Sequence, residues 1–203
     1  MAKRTAPDAV EALTDLARVQ GGFFSASQAA GKEIDRHQLQ RLVSQRLLER
    51  DRRGLYRLTP FPESEHAELW RAVLWPGIQR VKTSAVISDG TALSLYEVST
   101  INPSAIDITV PRSLRLRRDP PSGVRIHRRD YESSDVTTVS GLPVTTLYRT
   151  LLDLIVDGGS LQFVDEALKD ARTKALLTSK EQRNFDASRG MDEHLFSILR
   201  NRP

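Results

Sequence analysis

The sequence predicts an α+β fold, because helical and strand periodicities occupy separate segments of the chain. Residues 8–20 place apolar side chains on one arc of a helix. The same helical pattern returns near 64–75, 88–97, 146–156, 160–176, 178–188 and 191–200. Residues 106–110 and 124–128 instead alternate apolar and polar side chains, which is the period of a half-buried strand. We therefore expect a small sheet accompanied by several helices.

The composition is that of an ordinary globular protein. The 203 residues are 39% apolar and 28% charged, enough for one or two domains with a real core. The absence of cysteine excludes disulfides and thiolate metal sites and fits a reducing compartment. The strongest apolar run, residues 151–156, is far shorter than the ~18 residues of a membrane helix, and no secretory signal follows Lys3 and Arg4. A cytoplasmic protein without a membrane segment is expected.

Helix boundaries in the N-terminal part are marked by residue type. Gly21-Gly22 is expected to end the first helix, and the two phenylalanines that follow it are expected in the core. Ser25 is a good N-cap, with Gln28 three residues later as in a capping box, and the resulting short helix is expected to end near Ala30, with Gly31 as the turn. Asp35 is expected to cap the next helix in the same way, again with a glutamine three residues later.

Helix 35–47 has one apolar and one polar face. At ~100° per residue its apolar side chains form a buried arc consisting of Leu39, Leu42, Val43 and Leu47. The opposite face carries His37, Arg41 and Ser44, flanked by Gln38, Gln40 and Gln45. Arginine, glutamine and serine read base edges or grip phosphates, although such a face is also common on a solvated helix.

The order of the elements favours the DNA-reading interpretation. An arginine-rich hairpin, Arg50–Arg57, follows the polar helix and turns at Arg53-Gly54, where glycine supplies a positive φ. A short helix, a turn, a second helix and a hairpin form a winged helix-turn-helix, which places a helix in the DNA major groove. The predicted DNA-binding residues are Ser25, Lys32, Arg36, His37, Gln38, Gln40, Arg41, Ser44, Gln45, Arg50, Arg52, Arg53 and Arg57.

A proline-marked linker divides the predicted organisation into two domains. Residues 1–62 form the winged helix-turn-helix, and residues 63–203 form a mixed α/β domain with a small sheet and several C-terminal helices. The linker is polar and contains Pro60 and Pro62.

Basic residues concentrate in two zones. Residues 1–62 carry 11 basic and 7 acidic side chains, a net charge of +4, and the remainder of the chain is neutral. Within that remainder, residues 112–129 hold seven arginines against Asp119 alone, namely Arg112, Arg115, Arg117, Arg118, Arg125, Arg128 and Arg129. This second zone is expected to contact DNA, a partner protein or RNA, unless it is a strand edge kept soluble by charge.

Three stretches of the sequence resemble a known family. They are GGFFSASQA at 21–29 with RGLYRL at 53–58, AVIS and TAL at 85–93 with NP at 102–103 and TVP at 109–111, and GLPVTT with RTLLD at 141–153. With these stretches the chain resembles the AbiEi family of antitoxins from bacterial toxin–antitoxin systems. It departs from the family at Asp89-Gly90, where relatives often have histidine after the serine, and at Leu147, where they often have proline.

The resemblance implies a protein with two functions. Its winged helix would repress its own operon by binding inverted repeats in the promoter. Its second domain would counteract a cognate nucleotidyltransferase-like toxin, directly or indirectly. The implied partners are double-stranded promoter DNA and that toxin, and the inverted repeat could be met by monomers or a weak dimer.

An enzyme is the competing class, beside a stand-alone winged-helix regulator. The four histidines share no metal-ligand spacing. Gly158-Gly159-Ser160 followed by Asp165-Glu166 resembles a nucleotidyltransferase motif, but the acids follow too closely, and a helix capped by Ser160 with exposed acids explains them. Asp153 is expected to tie a helix to the sheet. No catalytic residue, metal or cofactor is therefore predicted, and an enzyme acting on nucleic acid is the weakest alternative.

Overall fold

The N-terminal elements follow the order expected of a winged helix-turn-helix. The structure is a computed structural model that describes residues 5–59, 61–78 and 85–188. Its first six elements are α1 (Ala6–Arg18), β1 (Phe23–Ser25), α2 (Ala26–Gly31), α3 (Arg36–Ser44), β2 (Leu48–Arg52) and β3 (Leu55–Leu58). The α+β fold class and the winged helix-turn-helix are thus confirmed, with β1 as an additional strand that was not predicted.

Both predicted capping boxes are present at the starts of α2 and α3. The Ser25 hydroxyl accepts a hydrogen bond from the Gln28 backbone N–H at 3.2 Å, and Gln28 Oε1 accepts one from the Ser25 N–H at 2.8 Å. Asp35 and Gln38 form the same reciprocal pair, at 2.8 and 3.0 Å. Each box satisfies two N–H groups that a helix start leaves without partners, which stabilises two short helices.

The strands of the winged helix form an antiparallel sheet in the order β1–β3–β2, here called the wing sheet. Its hairpin turns at Arg53-Gly54 as predicted, and Gly54 has a φ of 83°. The pairing register of β2 shifts between Arg50 and Arg52, so the strand carries a bulge just before the turn.

The helix α4 (Ala67–Ile78) contacts α2 and the face of the wing sheet that is turned away from α1 and α3. The side chains of β3 alternate between the two faces of the wing sheet. Tyr56 and Leu58 pack in the hydrophobic cluster formed with α1–α3. Leu55 and Phe23 instead belong to a hydrophobic cluster that includes α4 and the second sheet. The winged helix and the rest of the protein therefore share a core, while the domain boundary at 62/63 stays a prediction.

The glycine pair after α1 allows this close approach. Gly21 and Gly22 have φ values of 59° and 88° and end the helix as predicted. A Cβ on Gly21 would lie 2.5 Å from Cδ1 of Trp70 in α4. Glycine at this position is thus required both by the left-handed backbone and by the packing of α4.

The helix predicted near 64–75 begins later, at Ala67, and continues past Pro76 to Ile78. A proline near the C-terminus of a helix removes one hydrogen bond, and tertiary contacts offset that loss here. The Ser27 hydroxyl donates to the Gly77 carbonyl at 2.7 Å and satisfies one of the final carbonyls of the helix.

The remaining elements form a second sheet and the helices around it. They are β4 (Val86–Ile87), α5 (Asp89–Leu95), β5 (Ile106–Val110), β6 (Val124–Arg128), β7 (Val136–Val139), β8 (Leu142–Thr145), α6 (Leu147–Val156), α7 (Leu161–Thr173) and α8 (Ser179–Ser188). The strand order is β6–β5–β4–β8–β7, with β5–β6 and β4–β8 parallel. Both predicted strands and the extended piece at 141–145 are confirmed, and β4 and β7 are additional.

The connection between β5 and β6 is a crossover and not a hairpin. A turn directly precedes β6, with the Val124 N–H donating to the Pro121 carbonyl at 3.1 Å. However, Ile106 pairs with Val124 and Val110 with Arg128, which is a parallel register. Parallel neighbours cannot be joined by a tight turn, so residues 111–123 must travel back along the sheet.

The C-terminal helices match their predicted segments closely. Ser160 occupies the N-cap position of α7 as expected, but its side chain makes no capping hydrogen bond there. The helix expected near 178–188 is capped by Thr178, whose N–H donates to Glu181 at 2.7 Å and whose hydroxyl accepts from the Glu181 N–H at 3.2 Å. The helix predicted at 191–200 lies outside the described residues. None of the helices in the described part of the chain has the length and apolar character needed to span a bilayer.

Candidate nucleic-acid interface

The polar face of α3 is exposed. Leu39 and Leu42 are buried against α1 and the wing sheet, and Val43 packs on the same cluster. The side chains exposed on or beside α3 are Arg36, His37, Gln40, Arg41, Ser44 and Gln45. Lys32, the C-cap residue of α2, is exposed as well. Arginine and glutamine project from one helix face in the position that a recognition helix requires.

Two of the predicted DNA-binding residues are buried. Ser25 is 1% and Gln38 is 5% exposed, and their polar groups are used in the capping boxes. Neither side chain can reach a base without breaking a helix start, so both are removed from the candidate surface. Leu47, expected on the helix, lies beyond its end because Arg46 takes a left-handed φ of 58°, but it still packs on the same cluster.

The wing arginines differ in their partners. Arg50 and Arg53 are exposed, and Arg53 lies at the turn of the hairpin. Arg52 is also exposed but contacts Glu68 of α4 at 3.3 Å. Arg57 is half-buried, with its Nη2 2.7 Å from Glu49 Oε2 and its Nη1 donating to the Phe61 carbonyl at 2.9 Å. The structure thus gives Arg57 a role within the wing and leaves the other three on its surface.

The second basic zone is an exposed crossover with apolar anchors. Leu114 is buried and Leu116 packs on the same cluster, which holds residues 111–118 against the second sheet. The backbone is fixed further, because Arg128 Nη1 donates to the Leu114 carbonyl at 2.7 Å. The exposed arginines of the crossover are Arg112, Arg115, Arg117 and Arg118. On β6, Arg125 is exposed and contacts Asp107 at 3.2 Å.

The prediction that Arg129 contacts DNA or a partner is wrong. Its side chain is 1% exposed and binds Asp89 with both terminal nitrogens, at 2.7 and 2.8 Å. It also donates to Asp157 and lies 3.4 Å from Asp153. Burial alone would raise the pKa of Asp89, but the hydrogen bonds and charge of Arg129 lower it below its usual range. Burial raises the pKa of Asp153 although Arg129 and Arg149 oppose that effect.

The hydrogen bonds of the buried Arg129 explain why three possible metal ligands lie close together. Asp89, His127 and Asp157 bring three candidate ligand atoms within 4.8 Å of one another. Arg129 already donates to all three, including His127 Nδ1 at 3.1 Å, so a guanidinium stands where a cation would bind. Since arginine can only donate, His127 Nδ1 must be the acceptor, and its Nε2–H then donates to Asp107 at 2.9 Å. The predicted tie between a helix and the sheet runs from Asp153 of α6 to Arg129, which directly follows β6 and lies 3.4 Å away, while Arg149 Nε donates to Asp153 within α6 at 2.9 Å.

Glu166, one of the two acids considered under the enzyme hypothesis, has a structural role. Glu166 was expected to be exposed, but it is half-buried and accepts from the Thr100 N–H at 3.1 Å and the Thr100 hydroxyl at 2.7 Å. Asp170, one turn later, accepts from the Ser99 N–H at 3.2 Å. These carboxylates hold the loop at residues 97–100 on α7.

By its fold and its exposed residues, the N-terminal part has the arrangement of a winged-helix DNA-binding module. Residues 11–59, which run from α1 to the end of β3, match the family described as "Transcriptional regulator, AbiEi antitoxin". The resemblance to the AbiEi family predicted from the sequence is confirmed by this match, over the winged helix.

Other comparisons add a distant structural likeness. The crystal structure of RV2827C protein from Mycobacterium tuberculosis is similar with a TM-score of 0.42 and 15% sequence identity. The similar region covers 76% of this chain and 62% of the Mycobacterium tuberculosis protein. This chain therefore spans less than two thirds of the length of that protein. No curated protein matches the chain.

Proposed function

We propose that this protein is a cytoplasmic antitoxin and transcriptional autorepressor that binds inverted repeats in its own promoter. The exposed polar face of α3 beside the wing arginines supports the DNA-binding part most directly. Arg41, Gln40, Ser44 and their neighbours would enter the major groove, while Arg50, Arg52 and Arg53 hold phosphates. Lys32 and Arg36 would anchor the start of the helix. A promoter occupied in this way excludes the polymerase.

A gel-shift titration on the upstream DNA tests this proposal. Arg41→Ala should cost ~1–3 kcal/mol on the operator and reduce the preference over random duplex, because a base contact is lost. Arg53→Ala should weaken binding to all sequences alike and flatten the salt dependence by about one unit, because a phosphate contact is lost. Arg183→Ala, at an exposed position on α8, is the control and should change neither. Equal loss for Arg41→Ala on operator and random duplex would contradict its reading role.

The exposed crossover is proposed as a second contact with nucleic acid. Four exposed arginines on a loop fixed by Leu114 form a basic surface, and Arg125 and Arg128 on β6 add to it. Replacing Arg117 and Arg118 by alanine should shorten the protected DNA footprint while leaving the operator centre protected. An unchanged footprint with loss of protection against the toxin would favour a partner contact instead.

The antitoxin role rests on the resemblance and the family match. The proposed partner is a nucleotidyltransferase-like toxin, and co-expression with the product of the neighbouring reading frame tests it. Rescue of growth by the intact protein is expected, and co-purification would distinguish direct from indirect neutralisation. Repression without rescue would leave the stand-alone regulator as the function.

A further inference from the structure

One arginine of α4 connects that helix to the wing. Arg71 is 15% exposed and reaches across to Asp51 of β2, with Nε at 2.9 Å and Nη2 at 2.7 Å from the same carboxylate oxygen. Its guanidinium carbon also lies 5.0 Å from the centre of the Phe23 ring in β1. Arg71 therefore contacts both edge strands of the wing sheet.

Two glutamates, one in α4 and one just before it, also hold the Arg71 side chain in this orientation. Nη1 is 3.0 Å from Glu68, and Nη2 is 3.1 Å from Glu63. Charge-assisted hydrogen bonds to several acids, together with a stacked ring, fix a long side chain that would otherwise sample many rotamers. Asp51 is itself 12% exposed, so a chain without Arg71 would leave a poorly solvated carboxylate near the turn of the wing, with Arg52 Nε at 3.6 Å as its remaining ion-pair contact among the described residues.

The contact fixes the residue that follows one wing arginine and precedes the turn. Asp51 faces α4, and the bulge between Arg50 and Arg52 interrupts the regular alternation of the strand, so the face of Arg50 is given by its cross-strand partner. Arg50 is opposite Tyr56 in the pairing register, and Tyr56 packs in the cluster of α1–α3. Arg50 thus lies on the α3 side of the wing sheet, and Arg53 follows at the turn.

We propose that Arg71 is a positioning residue for DNA binding, which holds Asp51 so that Arg50 and Arg53 reach the duplex beside α3. It does not touch DNA in this proposal. The inference rests on the proposed function, because it assigns a role to α4 in the same interface.

The test is the salt dependence of duplex binding by the full chain. Arg71→Met should reduce the magnitude of the slope of log K against log salt by ~1 to 2, about one unit for each wing arginine that loses its phosphate. Arg71→Lys should restore part of the slope. Arg149→Met is the matched control, because Arg149 is 12% exposed and also binds two acids, yet its ion pairs lie with Asp135 and Asp153. It should lower the melting temperature and leave the slope unchanged.

A second background separates positioning from general destabilisation. In a chain that already carries Arg50→Ala and Arg53→Ala, Arg71→Met should no longer change the slope. The inference would be overturned if Arg71→Met lowered the affinity without changing the salt slope. It would also be overturned if Arg71→Met changed the slope equally in the wild-type chain and in the chain with Arg50→Ala and Arg53→Ala. If Arg71→Met does not fold, Asp51→Ala removes the carboxylate that Arg71 binds and is measured instead. A wild-type chain that binds no duplex would contradict the proposed function, whereas binding that is insensitive to Arg71 and Asp51 contradicts this inference alone.

Discussion

At the level of single residues, Arg129 behaves differently from the arginines around it. Its neighbour Arg128 is exposed, whereas Arg129 is enclosed by three aspartates and His127. A buried ion pair adds little compared with an apolar replacement of both partners, but removal of one partner leaves an uncompensated charge.

We therefore expect Arg129→Met to destabilise the protein by ~3–5 kcal/mol, measured by urea unfolding at neutral pH. Arg128→Met is the control and should have a much smaller effect. In the wild type the pKa of Asp89 is lowered, so its contribution to stability is complete above the usual aspartate range and is lost as the pH falls below that range, through the lowered pKa of the folded protein. The difference between wild type and variant should shrink in acid, and a constant difference from neutral to acidic pH would contradict this account.

The sequence predicted which residue types lie near one another but not which of them are enclosed. Ser25 and Gln38 satisfy both a capping box and a DNA-reading pattern, and only their burial decides between the two. Arg57 and Arg129 belong to runs of arginines whose other members are exposed. Their acidic partners, Glu49 for Arg57 and Asp89 for Arg129, come from other elements, so spacing along the chain does not reveal them.

At the level of elements, α7 determines the shape of the loop before β5. Glu97 and Ser99 have left-handed φ values of 54° and 77°, which are unfavourable for residues with a side chain. Glu166 and Asp170 bind the loop, and Lys174 donates to the Glu97 carbonyl at 2.7 Å. Three side chains at four-residue spacing on one helix face thus support an otherwise strained backbone.

Hydrogen bonds from the Thr100 N–H and hydroxyl and from Gln162 lower the pKa of Glu166 from 4.5 to about 2. Because the folded pKa is lowered, the contribution of Glu166 to stability is complete above pH 4.5 and is lost as the pH falls towards 2. Glu166→Gln should lower the melting temperature at neutral pH, and the difference should narrow across that interval. Glu11→Gln, at an exposed position of α1, is the matched control. A difference that grows in acid would contradict the role given to this carboxylate.

Element boundaries were predicted well where a local signal sets them. The starts of α2 and α3 follow from capping boxes, and the hairpin turn follows from Gly54. The end of α4 and the parallel pairing of β5 with β6 depend on contacts between distant segments. A two-residue strand such as β4 has no periodicity of its own, so it could not be predicted from the sequence.

At the level of the whole molecule, α4 belongs to both halves. Phe23 and Leu55 of the wing sheet are fully buried, and they pack in the cluster formed by α4 and the second sheet. A fragment of residues 1–62 would expose these two side chains, and full burial of each contributes ~1.5–3 kcal/mol.

A fragment of residues 1–78, which retains α4, should therefore unfold at a higher urea concentration than residues 1–62. Phe23→Ala measures the same interface and should destabilise the longer fragment more than the shorter one. Val19→Ala, at an exposed position, is the control and should affect both fragments equally. Equal stability of the two fragments would mean that α4 contributes nothing to the winged helix.

The position of α4 also has a thermodynamic consequence. A ligand that binds the second half and shifts α4 would change the affinity of the winged helix for DNA, since Arg71 and Trp70 contact that module directly. Linkage makes such an effect reciprocal, so DNA would change the affinity for that ligand by the same factor. Binding of the promoter and binding of a partner would then form one coupled equilibrium. The occupancy of either site would depend on the occupancy of the other.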